Sequence, residues 1–242
     1  MGLVRVTDSL LVSEVFGPTI QGEGPHMGRT VGFVRLGLCN LDCSWCDTPY
    51  TWDWTGKNGP PQDRSALAHM TADEIIDLLT PMKVNRVVIT GGEPLVQRTA
   101  LGPLVQSLTE QGYAVEIETN GTLVPTDHLL RLVDHWNVSP KLSSSGVASD
   151  KAWKLNVVDE LTNRAHGTVA LKFVCRTVED VDTVASLALI AGSPNDVWIM
   201  PEGTDAATVV RHTEAIADRT VVQGFNLSTR LHVLAWGNKR GV

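Results

Sequence analysis

From residue 86 onward, short apolar runs rich in β-branched residues alternate with amphipathic stretches. Runs at 86–90, 113–119, 135–140, 169–175, 196–201 and 220–224 have strand character, and 71–80, 98–111, 126–134, 150–163, 177–190 and 205–217 have helical character. Thr71 and Thr177 each precede an acid by three residues, Glu74 and Asp180, as N-cap residues do. Repeated strand–helix–strand units build a parallel sheet with crossover helices. In such sheets the chemistry collects at the carboxyl ends of the strands. Polar or glycine-containing segments follow four of the runs here: Thr90 to Glu93, Glu118 to Asn120, Ser139 to Lys141 and Met200 to Gly203. Sites spread over so many consecutive strands favour an α/β barrel or partial barrel over an open sheet with one switch point.

The 242 residues suffice for a single domain with a sizeable core. A formal net charge of −7 argues against a broad nucleic-acid surface. No apolar run reaches the length of a membrane span, and Asp8 and Glu14 interrupt the first apolar stretch, so no signal peptide is read. The expected compartment is the reducing cytoplasm, where clustered cysteines serve as metal ligands or catalysts and not as disulfides.

Three of the four cysteines, Cys39, Cys43 and Cys46, lie in a C-x3-C-x2-C pattern after the strand-like run 31–37. A structural zinc site would want a fourth ligand, for which Cys175, His26 and His69 are candidates, but no second half-site pattern is present. A cubane iron–sulfur cluster held by three thiolates instead keeps one iron open for a ligand. Spacing alone leaves both open.

The three-cysteine loop resembles the cluster motif of the radical S-adenosylmethionine superfamily. Trp45 lies where that superfamily places an aromatic residue near adenine, and Gly91, Gly92 and Glu93 resemble its glycine-rich motif for the methionine moiety. Within the superfamily, "QGEG" at 21–24, Arg35 before the cysteines, "CDT" at 46–48 and "SPK" at 139–141 together resemble the 7-carboxy-7-deazaguanine synthase family. The resemblance implies a partial TIM-type barrel of about six parallel strands with some helices trimmed. It implies one radical domain over 1–242, with a cluster loop at 36–50, a variable insertion at 51–66 and a C-terminal tail at 225–242. The implied reaction is carbon–nitrogen lysis: ring contraction of 6-carboxy-5,6,7,8-tetrahydropterin to 7-carboxy-7-deazaguanine with loss of ammonia, on the route to queuosine and other 7-deazapurines. A deoxyadenosyl radical takes hydrogen from C6 of the pterin and later returns it.

The same resemblance assigns roles residue by residue. Cys39, Cys43 and Cys46 hold a [4Fe–4S] cluster. Trp45, Asp47, Gly91, Gly92, Glu93, Glu118, Ser139, Pro140 and Lys141 serve S-adenosylmethionine, as do Met200, Pro201, Glu202 and Gly203, although "MPEG" departs from the "QPxD/E" of several relatives. Ile20, Gln21, Gly22, Glu23 and Thr90 line the substrate site, Arg35 pairs with the substrate carboxylate, and His232 and Val242 reach it from the tail. Thr48 ligates Mg2+. A flavodoxin- or ferredoxin-type reductant and a homodimer are implied, with no nucleic-acid or membrane partner. Two other readings compete: a glycyl-radical activase, which leaves "QGEGP" unexplained, and a non-catalytic zinc or iron–sulfur module, which leaves "GGEP" unexplained.

Blander expectations stand beside these. His69, His128, His135, His166 and His212 read as surface residues, Lys141 and Glu118 as a possible structural ion pair, and Cys175 as a small buried hydrophobe. Trp52 and Trp54 suit a lid, a dimer contact or core packing equally.

Overall fold

The computed structural model describes residues 9–192 and 196–242. Its elements in chain order are β1 (Leu10–Ile20), β2 (Thr30–Leu36), β3 (Ala68–Met70), α1 (Ala72–Leu79), β4 (Arg86–Gly91), α2 (Arg98–Glu110), β5 (Ala114–Thr119), α3 (Asp127–Leu132) and β6 (His135–Val138). There follow α4 (Ser149–Ala152), α5 (Leu155–Arg164), β7 (Thr168–Cys175), α6 (Val178–Ile190), β8 (Val197–Pro201), α7 (Ala206–Val222), β9 (Asn226–Leu227) and α8 (Leu231–Trp236).

Among the described residues one nine-stranded sheet runs β3-β1-β2-β4-β5-β6-β7-β8-β9. The strands from β2 through β9 pair in parallel, while β1 pairs antiparallel with both β2 and β3. The sheet ends at β3 and β9, so it does not close. This is the expected partial barrel, with six full parallel strands and a two-residue seventh.

Strand periodicity sorts the residues into two faces. Val87 and Ile89, Val115 and Ile117, Trp136 and Val138, and Leu171 and Phe173 pack under the helices in the main core. Their alternates, Arg35, Thr90, Glu116, Glu118, Asn137 and Lys172, point to the concave face. Helix α1 illustrates the outer layer: Thr71 and Glu74 form a reciprocal capping box, and Ile75, Ile76 and Leu79 are buried. Loss of such a cap costs about 1 kcal/mol.

Three expectations change. Residues 220–222 of the run "TVVQG" form the last turn of α7 and not a strand. The chain end, for which the resemblance implies a C-terminal strand, is helical over Leu231–Trp236 in α8. His135 is 2% exposed on β6 and not at the surface.

Candidate active site

A cavity of about 630 Å3 opens at the carboxyl ends of the strands. Into it face Ile20, Gln21, Gly22 and Glu23 after β1, Arg35 on β2, and Thr90, Gly91 and Gly92 at the end of β4. Glu118 on β5, Ser139 and Lys141 after β6, and Met200 and Glu202 at β8 line it as well. The cluster loop contributes Cys39, Cys43, Trp45, Cys46, Asp47 and Thr48, and the tail contributes His232 and Val242. Glu93, Pro140, Pro201 and Gly203 are not among the lining residues.

All three cysteines of the loop are free thiols, and they pack with Leu41, Val147 and Ala152 in a small apolar cluster. Burial pushes the Cys39 thiol up to about 12 and the Cys43 thiol upward as well, so a bound cation is what would stabilise their thiolates. The one group of three or more potential ligands whose atoms lie mutually within 4.8 Å, among the described residues, is His26, Glu116 and His135. At least one pair of the cysteine sulfurs is therefore more than 4.8 Å apart, beyond the roughly 3.8 Å that a tetrahedral zinc with Zn–S bonds of about 2.3 Å imposes. A multinuclear cluster suits that spacing and that all-thiolate donor set.

The glycine-rich turn is bound to this loop. Gly92 N–H donates to the Leu36 carbonyl at 3.2 Å and Glu93 N–H to the Leu38 carbonyl at 2.8 Å. A Cβ on Gly91, whose φ is +142°, would lie 2.1 Å from the Leu36 oxygen, and one on Gly92 would lie 2.1 Å from the Leu38 oxygen. Glycine is demanded there by the chain leading into Cys39. Glu93 is fully buried and braces the next loop, accepting from Leu95 N–H, the Thr119 hydroxyl and Asn120 N–H at 2.7–3.0 Å.

Opposite the cysteines lies a charge network. Glu23 accepts from Lys172 Nζ on β7 and from Arg230 Nε, the latter at 3.1 Å, and Arg230 also binds Asp47 and the Gly203 carbonyl. Burial pushes the Glu23 carboxyl up, but the charges of Lys172 and Arg230 outweigh it and hold the group well below its usual range. Burial likewise works against the Lys172 ammonium, and Glu23 with Glu118 reverses this, taking it to about 12. Glu118 accepts from Gln21 Nε2 at 3.2 Å and from the Thr90 hydroxyl at 2.8 Å. Its cation is Lys172 at 3.7 Å. The expected Lys141–Glu118 pair is absent, since Lys141 Nζ donates to Ser139 Oγ at 3.0 Å.

Deeper in the barrel, Glu116 accepts from Gln21 Nε2 at 2.9 Å and sits 2.7 Å from His26 Nδ1. His26 packs edge-on against His135 with ring centroids 4.5 Å apart, and Arg86 lies 3.7 Å from the carboxylate. Three groups, Gln21, His26 and Arg86, already serve this carboxylate, and the cluster braces Gln21 from below. His26 is thus committed to Glu116.

Arg35 donates through Nε to Glu14 Oε1 at 2.7 Å and stacks over Phe16 at 5.5 Å. No protein acceptor engages its two terminal nitrogens among the described residues, which leaves the fork for a carboxylate in the cavity. Glu14 also accepts from the Tyr50 hydroxyl and from Arg240 Nε, anchoring the tail beside Arg35. Trp45 lies between two cations, Lys141 at 5.8 Å and Arg176 at 5.9 Å, and its indole donates to the Ser144 carbonyl at 3.0 Å. The Thr48 hydroxyl makes a long contact with Cys46 Sγ at 3.8 Å and lines the cavity, where an oxygen donor suits a hydrated ion.

Lys172, Arg230, Glu14 and Arg240 are site residues that motif reading missed. Lys172 was detectable: a single charge inside the apolar strand "VALKFVC" needs a buried partner as much as Arg35 does.

The Radical SAM superfamily model matches residues 34–192. The chain is 37% identical to 7-carboxy-7-deazaguanine synthase of Pyrobaculum aerophilum, covering 98% of this chain and 100% of that protein. It is 32% identical to the enzyme of the same name from Bacillus subtilis, covering 96% and 98%. The crystal structure of QueE from Escherichia coli superposes with a TM-score of 0.68 at 23% identity, covering 93% of this chain and 95% of that one, a likeness of fold.

Proposed function

The chain belongs to the radical SAM superfamily and, within it, to the 7-carboxy-7-deazaguanine synthase family; from that premise we propose a role for each part of the cavity. The enzyme is a lyase that carries out the radical ring contraction of 7-deazapurine biosynthesis. Its substrate is 6-carboxy-5,6,7,8-tetrahydropterin and its product 7-carboxy-7-deazaguanine. Cys39, Cys43 and Cys46 would hold a [4Fe–4S] cluster, which together with S-adenosylmethionine would supply the one-electron chemistry that yields a hydrogen-abstracting radical.

The protein's own groups orient the reactants. Gly91, Gly92, Trp45, Ser139 and Lys141 hold the methionine and adenosyl parts against the cysteine loop. Arg35 grips the substrate carboxylate through its free fork, with Glu14 fixing the guanidinium. Gln21, Glu23 and Glu118 complement the donor edge of the pterin, with Lys172 and Arg230 paired to Glu23 and Lys172 also 3.7 Å from Glu118. Thr48 would supply an oxygen ligand to Mg2+, the ion assisting the substrate carboxylate. The tail closes the cavity through Arg240 and presents Val242. The chain works as one domain and as a homodimer in the cytoplasm, and draws its electron from a flavodoxin- or ferredoxin-type carrier.

The observation that carries this reading is the convergence of three cysteines and the free Arg35 fork on one cavity. It is tested by anaerobic reconstitution followed by turnover of the carboxytetrahydropterin. Product that requires S-adenosylmethionine and disappears in Cys39→Ala supports it, while a colourless protein holding stoichiometric zinc overturns it. A magnesium response unchanged in Thr48→Ala overturns the ion's assignment.

A further inference from the structure

Trp52 lies on the turn that leaves the cluster loop, and its indole Nε1 is 3.3 Å from Cys46 Sγ. We infer that this N–H is a hydrogen bond to a cluster thiolate and that Trp52 thereby raises the cluster's reduction potential. The inference rests on Cys46 being a cluster ligand, as proposed above.

The donor is held in place by the hydrogen bonds of its own turn. Thr51 N–H and the Thr51 hydroxyl donate to the Thr48 carbonyl at 3.0 and 2.8 Å, and Trp52 N–H to the Pro49 carbonyl at 3.0 Å. Leu38 N–H donates to the Thr51 carbonyl at 2.8 Å, tying the same turn to the chain that enters Cys39. The indoles of Trp45 and Trp198 reach oxygen acceptors, and that of Trp52 reaches a sulfur. The buried Nε1 atoms of Trp54 and Trp136 have no partner. Nor are the three sulfurs equivalent: Cys39 Sγ receives the Leu41 backbone N–H at 3.5 Å, and among the described residues only Cys46 receives a side-chain N–H.

Reduction by one electron from the carrier adds a negative charge shared between irons and ligand sulfurs. An N–H dipole aimed at a sulfur favours the more negative state, and more strongly away from water. Trp52 acts through Cys46 as a tuning residue and need not touch substrate.

The test uses the anaerobically reconstituted holoenzyme, poised with dithionite and redox mediators and read by the electron paramagnetic resonance of the reduced cluster. Trp52→Phe removes the N–H, and its midpoint potential is expected to lie below that of the wild type at equal iron and sulfide content. Trp54→Phe, whose indole has no acceptor, is expected to match the wild type. Equal midpoints for wild type and Trp52→Phe overturn the inference. If Trp52→Phe does not retain its cluster, β-(3-benzothienyl)alanine at position 52 keeps the ring shape without the N–H. The same downward shift is expected there, and its absence overturns the inference. After exchange into D2O, pulsed resonance is expected to find a cluster-coupled deuteron that the variant lacks; an undiminished deuteron in the variant overturns it. Wild-type protein with no cluster signal at all would instead overturn the cluster assignment itself.

Discussion

Arg230 Nε donates to Glu23 Oε1 at 3.1 Å, joining residues 207 positions apart in the chain. One follows β1 and the other follows β9, so the contact spans the side of the barrel that no strand pairing closes. Leu231 N–H donates to the Gly22 carbonyl at 2.9 Å beside it, and a Cβ on Gly22 would collide with the His232 ring. The C-terminal segment thus completes the wall of the cavity.

Removing Arg230 leaves Glu23 buried with Lys172 alone. Arg230→Ala is expected to lower stability by about 3 kcal/mol, the usual cost of stranding a buried charge. Chemical denaturation measures it. A loss below about 1 kcal/mol would mean that Lys172 and water compensate.

Stability should also depend on pH through His135. Burial lowers its pKa to about 4, well below the ordinary histidine value of about 6.5. The unfolded chain therefore binds this proton more readily, and stability falls as pH drops from about 6.5 to about 4, by on the order of 3 kcal/mol. Glu23 has the more ordinary acid sensitivity, since its depressed pKa adds stability above the usual carboxylate range that is lost as pH falls below it. Denaturation at stepped pH separates the two: His135→Gln is expected to flatten the slope between pH 6.5 and 4 and leave the steeper acid limb.

Gly92→Ala places a Cβ 2.1 Å from the Leu38 carbonyl oxygen, backbone that cannot swing aside as a side chain can. The expected outcome is poor iron incorporation on reconstitution, measured as iron and sulfide per chain. Full iron loading with weakened S-adenosylmethionine binding would show that the glycine serves the cofactor alone.

How far the site was legible depended on the kind of signal. Arg35 and the cysteines stand out because a charge in an apolar strand and three thiols in one loop both break local expectation. Lys172 breaks it in the same way, but its pairing with Glu23 and Arg230 does not show, because the sheet's curvature alone brings these partners together. The last turn of α7 misled for a different reason. Thr220, Val221 and Val222 favour strand geometry, yet Val209, Ile216 and Thr220 bury one helical face, and packing overrides propensity. The long β1 was hidden by Gly17 and Pro18, which punctuate its run like a turn.

Arg35→Lys keeps the charge and loses the fork. With Nε already committed to Glu14, the variant is expected to raise KM for the carboxylated pterin at least tenfold, a loss of about 1.4 kcal/mol. Cluster content and S-adenosylmethionine binding should be unchanged. An unaltered KM would place the substrate carboxylate elsewhere.

The central claim is that one cavity sets C6 of the pterin against the adenosyl radical source. Carboxytetrahydropterin carrying deuterium at C6 tests it most directly, by mass spectrometry of S-adenosylmethionine recovered after anaerobic turnover. Deuterium appearing at the 5′ position of the recovered cofactor, alongside 7-carboxy-7-deazaguanine, is the expected result. Product formed with no deuterium in the cofactor, or deuterium in the cofactor with the pterin ring left intact, would contradict it.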